Sequence, residues 1–391
     1  MATPVGAYGD LPFRKGVSRG PGLVRDAGVE ARVVFAVPGD LATPTGGYRY
    51  DRRIIQELRR AGWQVDVLDI GDGFPYPSSA QRATALERLS GVPGGYPVVI
   101  DGLAFGALPE AGALRSRTPL IALVHLPLAL EPGLASAQAE AFRRSERAAL
   151  AAAARVVVTS EASARIVAAD YGVQSRRITV VRPGNDPVPR ALGSNDGLVR
   201  LLSVGTVAPG KGYDVLIAAV ATLADMPWRL TIAGDRTRNP GVAARLDADI
   251  AAHGLADRVA VLGAVPPERI LDLYLASDVF VLASRFESYG MVLTEAIAHG
   301  LPVVSTMAGA IPDTVPAGTG LLVPPDDVAA LAHALRRLIS DRAERQRLAA
   351  NACAAAAQLP TWHDSARLLA GAIETVGKPL FSRETAAGRR M

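Results

Sequence analysis

The chain has 391 residues, a length that fits about two or three domains. Hydrophobic residues make up 49% and charged residues 20%, so a sizeable core can form without disulfides or metals. Cys353 is the single cysteine, which excludes a disulfide framework and a Cys-based zinc site. Aromatics at 5% are too sparse for a surface that stacks single-stranded bases. The 42 basic and 38 acidic residues leave a net charge of +4, which selects neither nucleic acid nor membrane but permits small anionic ligands.

No apolar signal region opens the sequence, and no run approaches the ~18 apolar residues of a membrane span. A cytoplasmic protein is expected, with peripheral membrane contact left open. Residues 1–29 are rich in Gly, Pro and Arg without periodicity and are expected to form a loose arm. ARVVFAV (31–37) is the first run of strand length, followed by a helical pattern over 46–62 with Ile54, Ile55 and Leu58 on one face. Further apolar runs follow at 63–70, 97–100, 119–126, 155–160 and 178–181, with helical stretches between most of them, notably 135–154. The rhythm breaks at RPGNDPVPRALGSNDG (182–197), whose Pro, Gly, Asn and Asp read as a linker. It restarts with runs at 199–205, 228–234, 258–265, 278–284, 302–306 and 320–324. The stretch from Asp326 to Val376 is helical, and 377–391 is expected to fray. Short apolar strands alternating with helices predict parallel sheets covered on both faces. The expected architecture is two doubly wound α/β domains facing across a cleft, over 30–187 and 188–376, the second carrying the terminal helices.

GTVAPGKG (205–212) lies between a strand and a helix and matches Gly-x₄-Gly-Lys. Gly212 stands where a P-loop needs Ser or Thr for Mg²⁺, so a P-loop is set aside. All but three of the 42 basic residues are arginine, so Lys211 in a Gly-rich loop suggests a compact ammonium beside phosphate oxygens. The stretch SRFESYGMVLTEAIAHGLPVV (284–304) is the most informative. With a helix starting near Tyr289, Glu287 falls in the loop before it and Glu295 about two turns inside, both able to face one ligand. The free N–H groups of Tyr289, Gly290 and Met291 would then form an anion site reinforced by the helix dipole. Val292, Leu293, Ala296 and Ile297 make that helix largely buried, and a buried carboxylate at Glu295 needs a partner.

These motifs carry a resemblance. The span from Val199 to about Asp327 resembles the C-terminal domain of retaining glycosyltransferases of family 4, which have the GT-B fold of two Rossmann-like domains. Glu287, Glu295 and GLPVV (300–304) meet the Glu-x₇-Glu signature and the strand that follows it. The resemblance implies that Glu287 contacts the donor sugar, Glu295 the ribose hydroxyls and Lys211 the diphosphate, with Ser288, Tyr289, Gly290 and Met291 lining the donor. It departs at Thr206, where the family usually has arginine; Arg285 and Arg182 are the sequence candidates to replace that charge. TPTGGYRYDRRIIQELRRAGWQV (43–65) is similar to the family's opening glycine loop and helix, which implies that Gly46 and Gly47 face the donor. His125, ending PLIALVHL, is similar to a histidine near the sugar, and RPGND (182–186) to the interdomain segment.

The resemblance implies a configuration-retaining, metal-independent glycosyltransferase that uses a nucleotide diphosphate sugar and no separate cofactor. His125, Lys211 and Glu287 would be its catalytic residues, and the acceptor a saccharide, a lipid-linked or a small molecule. Two other readings stay open: an epimerase or disaccharide phosphorylase on the same fold, or a nucleotide-binding protein without catalysis. Asp247 and Asp249 have Asp-x-Asp spacing but sit in a helical pattern, so they read as a solvated face. His253, His299, His333 and His363 show no metal-ligand spacing. GDGFPY (71–76) lacks the third glycine of a dinucleotide loop. Arg143, Arg144 and Arg147 form a basic patch that reads as solvated surface, with an anionic acceptor or membrane as the functional alternative.

Overall fold

The computed structural model describes residues 31–194 and 196–377. The arm expected over 1–29, and all but the first residue of the tail expected over 377–391, lie outside them.

The first sheet holds β1 (Arg32–Val37), β2 (Gln64–Asp69), β3 (Val98–Asp101), β4 (Leu120–Val124), β5 (Arg155–Val158) and β6 (Ile178–Val180). All pairs are parallel, in the order β2-β1-β3-β4-β5-β6. Its crossovers carry α1 (Gly46–Arg60), α2 (Ser79–Ser90), the short α3 (Gly102–Phe105), α4 (Ser136–Ala152) and α5 (Glu161–Tyr171). The second sheet holds β7 (Val199–Val204), β8 (Trp228–Ala233), β9 (Val259–Val261), β10 (Val279–Leu282), β11 (Val303–Thr306) and β12 (Gly320–Val323). These too are parallel, in the order β12-β11-β10-β7-β8-β9. Its helices are α6 (Tyr213–Ala221), α7 (Pro240–Ala252), α8 (Pro267–Leu275), α9 (Met291–Ala298), α10 (Ile311–Thr314), α11 (Val328–Ser340) and α12 (Arg342–Ala356), and α13 (Trp362–Gly377) ends the described chain.

The nearly all-apolar strands have a direct cause in this layering. Alternate residues of a strand point to opposite faces. In β1, Val34 and Ala36 join one apolar cluster while Val33 and Phe35 join another. In β10, Val279 and Val281 pack on one side and Phe280 and Leu282 on the other. Each such side chain contributes about 1.5–3 kcal/mol by leaving water. A polar residue on either face would forfeit that gain.

The strand orders locate two crevices. In the first sheet the crossovers reverse direction between β1 and β3, and in the second between β7 and β10. Ligands bind open α/β sheets at the carboxyl ends of strands flanking such a reversal. There the first turn of α1, after β1, holds Gly46 and Gly47, and the loops after β7 and β10 hold Lys211 and Glu287. Helix α13 returns to the first layer stack: Trp362, Ala366, Leu369 and Ile373 share an apolar cluster with Phe35, Ile54 and Leu58. Its Trp362 ring also lies under the Arg53 guanidinium at 5.2 Å.

Candidate active site

The loop after β7 ends in a single turn at Pro209–Lys211 before α6. Gly212 has φ +63°, and a Cβ there would come within 2.1 Å of the Ala283 carbonyl oxygen. Only glycine lets this loop lie against the one after β10. Lys211 Nζ reaches Glu287 Oε1 at 2.6 Å, and Ser284 Oγ donates to the same oxygen at 2.6 Å. Arg285 is committed to the protein: it forks onto Asp214 at 3.1 and 2.8 Å, bonds Asp326 at 2.7 Å and donates to the Pro209 carbonyl at 2.7 Å. It buttresses the loop that carries Lys211. Arg182, the other arginine candidate, lies 3.8 Å from Glu161. Thr206 is half-buried and makes no side-chain hydrogen bond among the described residues.

Helix α9 starts at Met291, two residues later than the sequence pattern suggests, because its N-cap Gly290 sits at φ +84° in the left-handed region. Glu295 therefore lies one turn inside the helix, not two. The N–H groups of Gly290 and Met291 donate to no other backbone group among the described residues, as a helix N-terminus requires. Tyr289 is buried and its carbonyl accepts from Thr314 Oγ1 at 2.7 Å. The Ser288 carbonyl accepts from Thr159 and Ser163 of the first domain at 3.5 and 3.4 Å. Glu295 crosses the cleft: its Oε1 pairs with Arg49 of α1 at 2.5 Å, and its Oε2 accepts from the Tyr274 hydroxyl at 3.1 Å. The Glu295 charge holds the Arg49 guanidinium above its usual pKa.

The first domain supplies the opposite wall. Thr45 caps α1 by accepting from the Tyr48 N–H at 3.1 Å, so the helix opens with Gly46 and Gly47. A Cβ on Gly46 would touch Met291 at 3.8 Å, and one on Gly47 would lie 3.1 Å from the His125 ring. His125, just beyond β4, hydrogen-bonds Asp51 Oδ1 through Nε2 at 2.9 Å, and Asp101 Oδ2 lies 3.9 Å away. Burial alone would lower the imidazole pKa, but the Asp51 and Asp101 charges outweigh it and push the value up to about 8. Asp101 is raised well above the carboxylate range, by burial first and by the Asp51 charge second.

The cleft contains residues that motif reading passed over. Arg49 sits among other helix arginines and carries no local signal. Asp51 does carry one, since it falls at i, i+3, i+4 and i+7 with Ile54, Ile55 and Leu58, on the apolar face. No Asp/His cluster shows in the spacing, yet a carboxylate oxygen of Asp51, one of Asp101 and a ring nitrogen of His125 lie within 4.8 Å of one another. They come from three separate elements, so spacing could not show it. Asp247 and Asp249 lie on α7, and Asp247 pairs with Arg236. Arg143 and Arg144 pair with Glu140 at 2.7 and 3.5 Å, while Arg147 donates to the Asp170 carbonyl. His299 is satisfied structurally: it bonds the Pro189 carbonyl at 2.7 Å and stacks on Tyr274 at 4.8 Å. No helix among the described residues is long and apolar enough to cross a membrane.

Two doubly wound domains with facing switch points, and a cleft walled by lysine, glutamate and histidine, define the GT-B architecture. The chain belongs to the group 1 glycosyl transferases, family 4: the profile "Glycosyl transferases group 1" matches residues 185–354 and "Glycosyltransferase Family 4" residues 98–188. It is 32% identical over 344 residues to the D-inositol 3-phosphate glycosyltransferase of Acidothermus cellulolyticus, covering 81% of this chain and 74% of that relative. With the enzyme of the same name from Nocardia farcinica it shares 34% identity over 278 residues, 65% of this chain and 61% of that relative. Among solved structures, HepE of Anabaena in complex with UDP-glucose has the same fold, with a TM-score of 0.70 at 20% identity over 88% of this chain and 100% of that one.

Proposed function

We propose that the chain transfers a sugar from a nucleotide diphosphate sugar to an acceptor hydroxyl, with retention of anomeric configuration. The observation that carries this reading is the meeting of Lys211, Glu287 and the α9 N-terminus with Arg49 and His125 across one cleft. The UDP-glucose held by HepE, a protein of the same fold, supports a donor of this class.

In this reading the leaving diphosphate lies at the α9 N-terminus beside Lys211, where ammonium and backbone N–H groups stabilise the charge as the glycosidic bond breaks. Glu287, now bonded to Lys211, turns to the hydroxyls of the donor sugar. Glu295 exchanges Arg49 for the ribose hydroxyls. The freed Arg49 guanidinium then takes the place of the basic residue missing at Thr206, an exchange that closes the first domain onto bound donor. His125 and the Gly46–Gly47 backbone line the far side of the sugar.

A thermal-shift screen over UDP, GDP, ADP and CMP tests the reading. The matching nucleotide at 100 times its Kd stabilises by about 2.7 kcal/mol. Slow hydrolysis of the corresponding sugar donor, with the released sugar keeping its anomeric form, is the expected second result. Absence of stabilisation by every nucleoside diphosphate would sink it.

A further inference from the structure

Asp51 is fully buried, at 0% exposure, on a helix face that is otherwise apolar. A carboxylate in that position is strongly destabilising unless a partner meets it. The partner is the His125 Nε2 at 2.9 Å, while Asp51 Oδ2 is buried with no hydrogen bond of its own. Asp101 is nearly as buried; one of its oxygens accepts from the Leu103 N–H at 2.7 Å, and the other lies 3.9 Å from His125 Nε2. The Tyr50 ring meets the imidazole edge-on at 5.1 Å, and Gly47 packs over the Cδ2 side. These contacts fix the ring in plane and in rotation. Its Nδ1 makes no hydrogen bond among the described residues, and the side chain keeps 19% exposure.

We propose that Asp51 is the positioning residue of His125: it accepts the Nε2–H, locks the ring against Gly47 and Tyr50, and leaves Nδ1–H to donate to an anionic oxygen of the nucleotide sugar. The proposal rests on the glycosyl-transfer reading above for the identity of that acceptor, but not for the Asp51–His125 pair itself. The titratable groups facing the ring are Asp51 and Tyr50 from α1 and Asp101 from the end of β3. With a neutral ring, Nδ1 would carry a lone pair and repel phosphate oxygen; the charged ring donates instead.

The test uses the full chain without substrate, so it fails or succeeds independently of the donor reading. Histidine ring resonances are followed by NMR across pH 5–10, with His125→Gln assigning the His125 signal. In the wild type, the ring is expected to be doubly protonated at pH 7. In Asp51→Asn, which keeps the shape and an acceptor oxygen but loses the charge, the midpoint should fall by more than one pH unit. In Asp101→Asn it should move by less than half a unit. A purely structural role would lower the melting temperature of Asp51→Asn without moving that midpoint, and would overturn the proposal. Should Asp51→Asn not fold, a neutral His125 ring in the wild type at pH 7 overturns it alone. Calorimetric titration with Zn²⁺ supplies the remaining arm: one-to-one binding lost in both aspartate variants would make the three residues a metal site instead.

Discussion

Arg49, in the first turn of α1, and Glu295, one turn into α9, join the two domains by a 2.5 Å ion pair across the cleft. The Glu295 charge is the largest influence on the Arg49 guanidinium, and the carboxylate is also held by Tyr274. In the proposed reading, a nucleotide entering the cleft displaces Arg49 from Glu295 to reach it with ribose. Arg49→Ala should therefore tighten binding of the bare nucleoside while weakening the nucleoside diphosphate tenfold or more, about 1.4 kcal/mol. Adding Thr206→Arg should restore the diphosphate affinity in that variant and gain little in the wild type. Calorimetry with nucleoside and diphosphate reads both arms; parallel loss for the two ligands would disprove the exchange.

Lys211→Ala should weaken nucleoside-diphosphate binding by about 1.5–3 kcal/mol, the scale of a hydrogen bond to a charged group. The variant also strips Glu287 of its cation, leaving Ser284 as its donor among the described residues. Circular dichroism therefore accompanies the titration. Unchanged affinity in a folded variant would remove Lys211 from the site.

The two glutamates should separate kinetically. If Glu295 holds the ribose as proposed, equally in ground and transition states, Glu295→Ala should raise KM and leave kcat unchanged. If Glu287 holds the reacting sugar as proposed, Glu287→Ala should lower kcat. Steady-state kinetics showing an equal rise in KM for both, with kcat intact, would contradict the assignment.

Stability should respond to pH through Glu146, which has 0% exposure. Burial, the largest cause, lifts its pKa from the ordinary 4.5 to about 7 against the opposing pull of Tyr171 and of a bond from the Leu128 N–H. Between those values the unfolded chain gives up the proton while the folded chain keeps it. The destabilisation starts above the unfolded value and is complete above the folded one. Glu146→Gln keeps an acceptor for Leu128 without the charge, so it should match the wild type at pH 4. At pH 8 it should be more stable by about 2–3 kcal/mol. Denaturant midpoints at the two pH values check this, and an equal shift at both would refute the buried-charge account.

In the proposed reading Lys211 and the α9 N-terminus meet the diphosphate charge without an ion, so transfer activity should survive exhaustive chelation. Activity abolished by EDTA and restored by Mg²⁺ or Mn²⁺ would show otherwise. Asp51, Asp101 and His125 would then be the first residues to substitute.

The sequence by itself determined the two layered α/β domains and singled out Lys211, Glu287 and Glu295 as candidate site residues. Burial on both faces of a parallel sheet forces unbroken apolar strands, so runs such as VVID and VFVL announce their own environment. Lys211, Glu287 and Glu295 were legible because each sits at a fixed offset from a glycine turn or a strand end, and such offsets survive in one dimension. Even there the helix start was misplaced, since nothing local shows that Gly290 adopts φ +84°. Only the tertiary structure decided who partners these charges. Arg49 meets Glu295, and Asp51 and Asp101 meet His125, because domain closure and strand order bring distant segments together. Return of α13 to the first sheet is the same kind of fact. Periodicity reports whether a residue is buried; it carries no record of which distant side chain shares the burial, because that depends on the packing of whole domains.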